Sequence, residues 1–332
     1  MKDWTMPELM HLSGSYWACC ALQAAIQLDL FTALADGPLN EEQLAARLGC
    51  DQRALGMLAT ALVALEFLER RGQALAASPG ALTYLARTSP EYIGFIILHH
   101  SHIMPGWVKL AESVRLGRAA MEKIYFQDDE EEERKAFLMG MFNVARGQAE
   151  TVARALDLAG RARLIDVGGG PGTYAVQFCL SQPGLRALVF DLPTSEPYAR
   201  EVAARYGLAD RVDFIGGDFL RDDLPQGQDV AWLSQVLHGE SPANAARLVK
   251  KAAAALNPGG LLAVQEFVLN DDRSGPAHSA LFSLNMLVGT AGGQAYTLEE
   301  IQAMLRNAGA RDIRVLEAAL PQGCRIVVGT RG

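Results

Sequence analysis

The chain has 332 residues, half of them apolar and one-fifth charged, enough for two domains with sizeable cores in an ordinary globular composition. A net charge of −8 excludes nucleic acid as the main partner, since phosphate binding needs a basic face. Cysteines at 19, 20, 50, 179 and 324 show no C-x-x-C spacing, which excludes a disulfide frame or zinc site and points to reduced thiols in the cytoplasm. The polar, acidic N-terminus and the lack of a long apolar run argue against a leader or a membrane span.

Residues 1–125 read as mostly helical. Ala18, Leu22, Ala25, Ile26, Leu30 and Phe31 recur at three and four spacing, which predicts one buried helix over 12–34. Asp36-Gly37-Pro38 breaks it. Asn40 then caps a helix, with Gln43 three residues on, and Gly49 ends it. Asp51 caps a third helix running to Phe67, and residues 68–75 form a short hairpin. Helix, turn, helix and hairpin is the winged-helix plan, so a ligand-responsive regulator is one reading. A groove-reading helix needs basic or amide side chains outward. This one offers Asp51, Gln52 and Arg53, then Ala54, Leu55, Met57, Leu58, Ala59, Leu62 and Val63, so it is expected to pack on another subunit or on the next domain.

His99, His100 and His102 follow. Only His99 and His102 share a helix face, and no acid or cysteine accompanies them, so no metal is expected. Packing competes with pocket lining for these residues. The acids from Asp128 to Glu133 suit a helix start. Residues 126–160 form the connection, with a long helix over 137–158 presenting Phe137, Met141, Phe142 and Ala145 on one side.

Residues 161–332 alternate strand and helix, the pattern of a doubly wound α/β sheet. Strands fall at 164–167, 187–190, 212–215, 230–233 and 261–267, with a closing antiparallel pair at 313–317 and 325–328. Helices fall at 175–180, 197–206, 243–256, 279–288 and 298–307. The first strand runs into Asp166-Val167-Gly168-Gly169-Gly170-Pro171-Gly172-Thr173. Glycines there allow positive φ and close backbone approach at the carboxyl end of a strand, where open α/β sheets bind ligands. A dinucleotide fingerprint wants glycine or alanine at 173, which is threonine, so a smaller nucleoside-type cofactor fits better. Asp191 ends the second strand, suited to ribose hydroxyls, and Asp218 follows the third with Phe219 beside it to cover an adenine.

The strings Asp166 to Gly172, Phe190-Asp191-Leu192-Pro193, Gly217-Asp218-Phe219, Val236-Leu237-His238 and Asn257-Pro258-Gly259-Gly260 resemble the S-adenosylmethionine-dependent O-methyltransferases of the plant caffeic-acid, hydroxyindole and bacterial polyketide type. The resemblance covers most of the chain. It implies a Rossmann-like, seven-stranded class I methyltransferase domain over 161–332, preceded by a mostly helical, winged-helix-like dimerisation domain, and a homodimer. It implies S-adenosylmethionine held by Asp166, Gly168, Gly170, Asp191, Leu192, Asp218, Phe219 and Ser234, S-adenosylhomocysteine as product, and no metal. His238 matches the family's base, Glu266 its supporting acid and Met286 a pocket methionine. The chain reads His238-Gly239-Glu240 where the family reads His-Asp-Trp, has Ser234 at a cofactor-contacting lysine, and Ala295 at a second carboxylate.

Methyl transfer from a sulfonium is an in-line displacement, so the protein mainly aligns the reactants and excludes water. An imidazole (pKa ~6.5) taking a proton from a phenol (pKa ~10) faces about 5 kcal/mol, which concerted transfer and a nearby carboxylate offset. An ordinary alcohol, near ~15.7, would cost roughly 12 kcal/mol. The acceptor is therefore expected to be a small aromatic or heteroaromatic compound with an acidic hydroxyl, in a pocket between the domains lined by Phe137, Met141, Met286, His102, Met104 and Trp107. C- or N-transfer on the same scaffold needs no strong base and stays open. Glu300 reads as half of a capping box with Thr297.

Overall fold

The computed structural model describes residues 2–121 and 130–332. The expected domain boundary at 125/126 and the acids Asp128 and Asp129 lie outside the described residues. The chain divides into two compact units, Met1–His102 and Ile103–Gly332. This division falls inside the helix Gly94–Val108, where the polar run from His99 to His102 gives way to Ile103 and Met104 with no break in the helix.

In the first unit, strands β1 (Leu39–Asn40), β2 (Leu68–Arg71) and β3 (Ala74–Ala77) form an antiparallel sheet in the order β1-β3-β2. Asn40 Oδ1 accepts the Gln43 N–H at 2.8 Å, and Gln43 Oε1 accepts the Asn40 N–H at 3.0 Å, which starts the helix Glu41–Leu48. Asp51 caps the next helix through the Ala54 N–H at 2.8 Å; it stops at Ala64, short of Phe67. Leu55, Ala59 and Leu62 of that helix are buried in the unit's own core with Leu30, Phe31, Leu44 and Leu75. The apolar face expected to meet another subunit or domain is largely used at home, with Met57 left exposed. The single helix expected over 12–34 is three: Met6–Gly14, Tyr16–Gln27 and Leu30–Ala33. Asp29, at φ 56°, turns the chain between the last two, and burial begins only at Gln23.

In the second unit, seven strands lie in the order β10-β11-β8-β7-β4-β5-β6: β4 (Arg163–Val167), β5 (Arg186–Asp191), β6 (Val212–Gly216), β7 (Gln228–Ser234), β8 (Leu256–Leu269), β10 (Ala310–Leu316) and β11 (Cys324–Arg331). The short β9 (Tyr296–Thr297) pairs β8 beside this path. β4 to β8 pair in parallel, and β11 closes antiparallel on β8 and β10. Side chains alternate across the sheet as the two-residue strand period requires. Ile165, Val167, Leu233 and Val264 enter a core with the helices Pro242–Ala255 and Leu298–Asn307. Trp232 points the other way, edge-on to Phe178 at 5.2 Å. The helix expected over 137–158 is broken into Glu131–Arg146 and Ala149–Ala155. Gly147 weakens the helix there, and the buried Gln148 instead accepts a hydrogen bond from Gln265 Nε2 at 3.3 Å.

Thr297 and Glu300 form the expected capping box: Thr297 Oγ1 accepts the Glu300 N–H at 3.2 Å, and Glu300 Oε2 accepts the Thr297 N–H at 2.7 Å. Thr297→Ala is expected to lower stability by about 1 kcal/mol, read as a lower urea midpoint with an unchanged slope.

Candidate active site

The glycine turn leaves β4 with Gly168, Gly170 and Gly172 all at positive φ. A Cβ on Gly168 would stand 2.8 Å from Val236 Cγ2 and 3.5 Å from Phe219 Cε1. The bare backbone is what lets the turn, Phe219 and the segment leading to His238 meet. The Gly170 N–H donates to Asp191 Oδ2 at 2.7 Å, while Asp191 Oδ1 accepts from the Leu192 N–H at 2.7 Å and the Ser195 hydroxyl at 2.9 Å. Burial pushes the Asp191 carboxyl up, and these donors hold it back. Asp218 Oδ1 accepts the Leu220 N–H at 2.8 Å, and its other oxygen pairs with Arg221 at 3.2 Å.

Asp166 is 1 % exposed, and burial pushes its carboxyl up to about 7. Its Oδ2 is buried with no hydrogen-bond partner among the described residues, and a Cβ on Gly169 would stand 2.6 Å from its carboxyl carbon. An orphaned acid oxygen, bare turn backbone and a ribose-type acid at the next strand end fit a polar nucleoside cofactor such as S-adenosylmethionine. Ser234 departs from that set, since its hydroxyl donates to Gln265 Oε1 at 3.2 Å.

His238 lies in a 3₁₀ turn, Leu237–Gly239, just beyond β7. Its Nδ1 stands 2.7 Å from Glu266 Oε2 on β8, and Glu266 Oε1 accepts the N–H groups of Leu237 at 2.8 Å and His238 at 3.3 Å. A carboxylate only accepts, so in the neutral imidazole Nδ1 is the nitrogen that carries the proton and Nε2 is the acceptor of that tautomer. Glu266 is 1 % exposed, against 12 % for the His238 side chain. The loop before β9 braces this turn: a Cβ on Gly293 would stand 2.3 Å from the His238 carbonyl oxygen, and the Tyr296 hydroxyl donates to the Glu240 carbonyl at 2.6 Å. Ala295 is wholly buried, its N–H donating to Ser283 Oγ at 3.1 Å.

Phe282 meets the His238 ring edge-on at 4.7 Å, with Phe267 and His278 packed behind it. Phe282 shares the helix Ala277–Gly289 with Met286, which is 1 % exposed, and with Asn285, whose Oδ1 accepts the Trp107 indole N–H at 2.8 Å. Phe137 and Met141, both half-buried, flank Leu138, whose Cδ2 lies 3.5 Å from where a Cβ on Gly170 would be. His102 belongs to the first unit, its Nδ1 buried with no hydrogen-bond partner among the described residues. Burial drives His99 down to about 3. Among the described residues no three His, Cys, Asp or Glu side chains converge as a metal set would.

A family profile for an O-methyltransferase domain matches residues 107–311, and one for an O-methyltransferase dimerisation domain matches residues 10–87. The chain belongs to the O-methyltransferase family. Among its relatives is a 3-hydroxy-5-methyl-1-naphthoate 3-O-methyltransferase of Streptomyces sahachiroi, 34% identical over 97% of this chain and 94% of that one. Another is the N,N-dimethyltransferase OxyT of Streptomyces rimosus, 33% identical over 92% and 90%. Among solved structures, human N-acetylserotonin methyltransferase in complex with S-adenosylmethionine superposes with a TM-score of 0.88 at 28% identity, covering 100% of this chain and 99% of that one.

Sequence reasoning on this O-methyltransferase missed Phe282, Asn285, Ser195 and Tyr296. The four-residue step from Phe282 to Met286 puts them on one helix face, and Ser195 is four residues beyond Asp191 in a turn. Those spacings were available signals. Nothing local signals Tyr296, which acts 56 residues from its partner.

Two outcomes are expected. Gly168→Ala lowers affinity for S-adenosylhomocysteine at least about tenfold by calorimetry, because the new methyl displaces Val236 in a backbone conformation L-residues disfavour. Asp166 keeps its proton when folded up to about 7, against 3.8 ordinarily, so it removes stability as pH rises between those values. Asp166→Asn should therefore flatten the fall in unfolding midpoint across that window relative to wild type.

Proposed function

We propose that this O-methyltransferase moves the methyl group of S-adenosylmethionine to an acidic hydroxyl on a small, fused-ring aromatic acceptor, with His238 as general base and S-adenosylhomocysteine as product. The observation that carries the reading is the His238–Glu266 pair: a buried acid at 2.7 Å holds the imidazole in the tautomer that presents Nε2 as acceptor. The acid also favours the imidazolium that forms when a phenolic proton arrives. The bound cofactor supplies an electrophilic methyl on a sulfonium. Asp191, Gly168, Gly170, Leu192, Asp218 and Phe219 would hold its adenosyl part, and Asp166 its polar end. Ser234 is a candidate only if its hydroxyl turns from Gln265. Phe282, Met286, Trp107, Phe137 and Met141 supply the flat apolar and thioether surfaces that suit an aromatic ring. The relatives' acceptors, a hydroxylated naphthoate and acetylserotonin, are fused-ring compounds of that kind.

A homodimer belongs to the same proposal. Met6, Leu9, Met10, Leu12, Tyr16 and Trp17 are exposed along the first two helices, with Trp4 just before them, an apolar surface far beyond isolated exposure and one that a second copy would cover. A second reading, transfer to nitrogen, is favoured by the likeness to an N,N-dimethyltransferase and by the absence of a carboxylate at Ala295.

The test is release of S-adenosylhomocysteine with a hydroxynaphthoate, acetylserotonin and an arylamine. His238→Gln is expected to lower kcat on the hydroxyl acceptors by about 10²–10⁴ with cofactor affinity unchanged. Undiminished turnover removes His238 as base, and turnover confined to the arylamine selects the second reading.

A further inference from the structure

Gln235 joins the end of β7 to the turn that carries His238, and its backbone is left-handed at φ 58°. Such a conformation is uncommon for a long side chain, because Cβ crowds the following carbonyl oxygen. The residue bears a second cost: its Oε1 is buried with no hydrogen-bond partner among the described residues. Costs of this kind persist where surrounding contacts over-determine the position, and they gather at functional sites.

The contacts are specific. The Gln235 N–H donates to the Gln265 carbonyl at 2.9 Å, and Gln235 Nε2 donates to Cys324 Sγ at 3.4 Å. Gln265 is wholly buried and precedes Glu266 on β8; its Nε2 donates to the same sulfur at 3.2 Å. Cys324 is 1 % exposed, and the β11–β8 register sets it opposite Phe267, the residue after Glu266. Burial holds the thiol up at about 11, so the sulfur stays a neutral acceptor. One sulfur thus ties the corner that leads to the base to the strand that carries its acid. Successive residues of a strand point to opposite faces, so the tie, on the face of Gln265 and Phe267, lies across the sheet from the Glu266 side chain.

We propose that Gln235 is a positioning residue for His238: its tether to Cys324 fixes the direction in which the chain leaves β7, and so the alignment of the imidazole on Glu266. The proposal rests on His238 being the base. Alignment of this kind governs proton transfer steeply, since a small displacement lengthens a 2.7 Å contact beyond useful reach.

Gln235→Gly separates positioning from structure. Glycine accepts φ 58° without crowding and keeps the N–H bond to Gln265, so a merely structural role predicts unchanged or higher stability and unchanged kinetics. Positioning predicts a fall in kcat of about tenfold with a hydroxynaphthoate acceptor, cofactor Kd within about twofold of wild type, and no loss of melting temperature. In protein saturated with S-adenosylhomocysteine, the downfield Nδ1–H proton of His238, assigned by its loss in His238→Gln, should shift or broaden. Cys324→Ala should act in the same direction and Cys324→Ser should restore most of kcat; this pair decides if the glycine variant fails to fold. Wild-type kcat with an unshifted resonance overturns the proposal. Full activity of His238→Gln would instead overturn the base reading, and the resonance would still show whether Gln235 orients the ring.

Discussion

A buried carboxylate with both oxygens engaged is the constraint on which the rest of the catalytic unit depends. An acid as enclosed as Glu266 is costly unless donors surround it, and here two backbone N–H groups and one imidazole do so. Those donors all belong to the turn after β7. The parallel register that sets Ser234 opposite Gln265 therefore folds the turn back over the end of β8 and delivers His238 to Glu266. The turn is in effect the cap of a buried charge, and the position of His238 follows from satisfying Glu266.

The cofactor half obeys a different logic. Around the glycine turn, side chains are mostly missing, and backbone donors do the work: the Gly170 and Leu192 N–H groups fix Asp191, and the Gly168 N–H reaches the Phe190 carbonyl at 2.8 Å. Lys251 fastens the adjoining loop from outside, its ammonium donating to the Phe219 carbonyl at 2.7 Å and to the carbonyl of Asp222. Stiff backbone on one side and the His238–Glu266 pair on the other meet at Val236, the side chain that a methyl on Gly168 would strike.

Much of this was legible in the sequence because it is local. Strand ends marked by Asp166 and Asp191, the caps at Asn40, Asp51 and Thr297, and the closing hairpin all rest on periodicity or on partners a few residues apart. The resemblance to the O-methyltransferases paired His238 with Glu266, which stand 2.7 Å apart. What escaped depends on distance or on small backbone choices. The breaks at Asp29 and Gly147 each turn on one residue inside an apolar, helix-competent pattern. The division after His102 falls inside one continuous helix, so no turn or linker marks it. The bonds from Cys324 to Gln235 and Gln265 span 89 and 59 residues, and only the register of β11 on β8 creates them. Ser234 shows the same limit: its alignment with a cofactor lysine was readable, but not the preference of its hydroxyl for Gln265.

The close approach of Gly293 to the His238 carbonyl also shapes how this enzyme is able to diverge. With no room for a side chain there, the length and entry angle of the loop are inherited together with the position of His238. Insertions beside it would be felt first at the imidazole, before any contact with an acceptor changed. On the role proposed for His238, variation in acceptor preference is steered away from this loop and toward the helix Ala277–Gly289, which presents Phe282 to the imidazole.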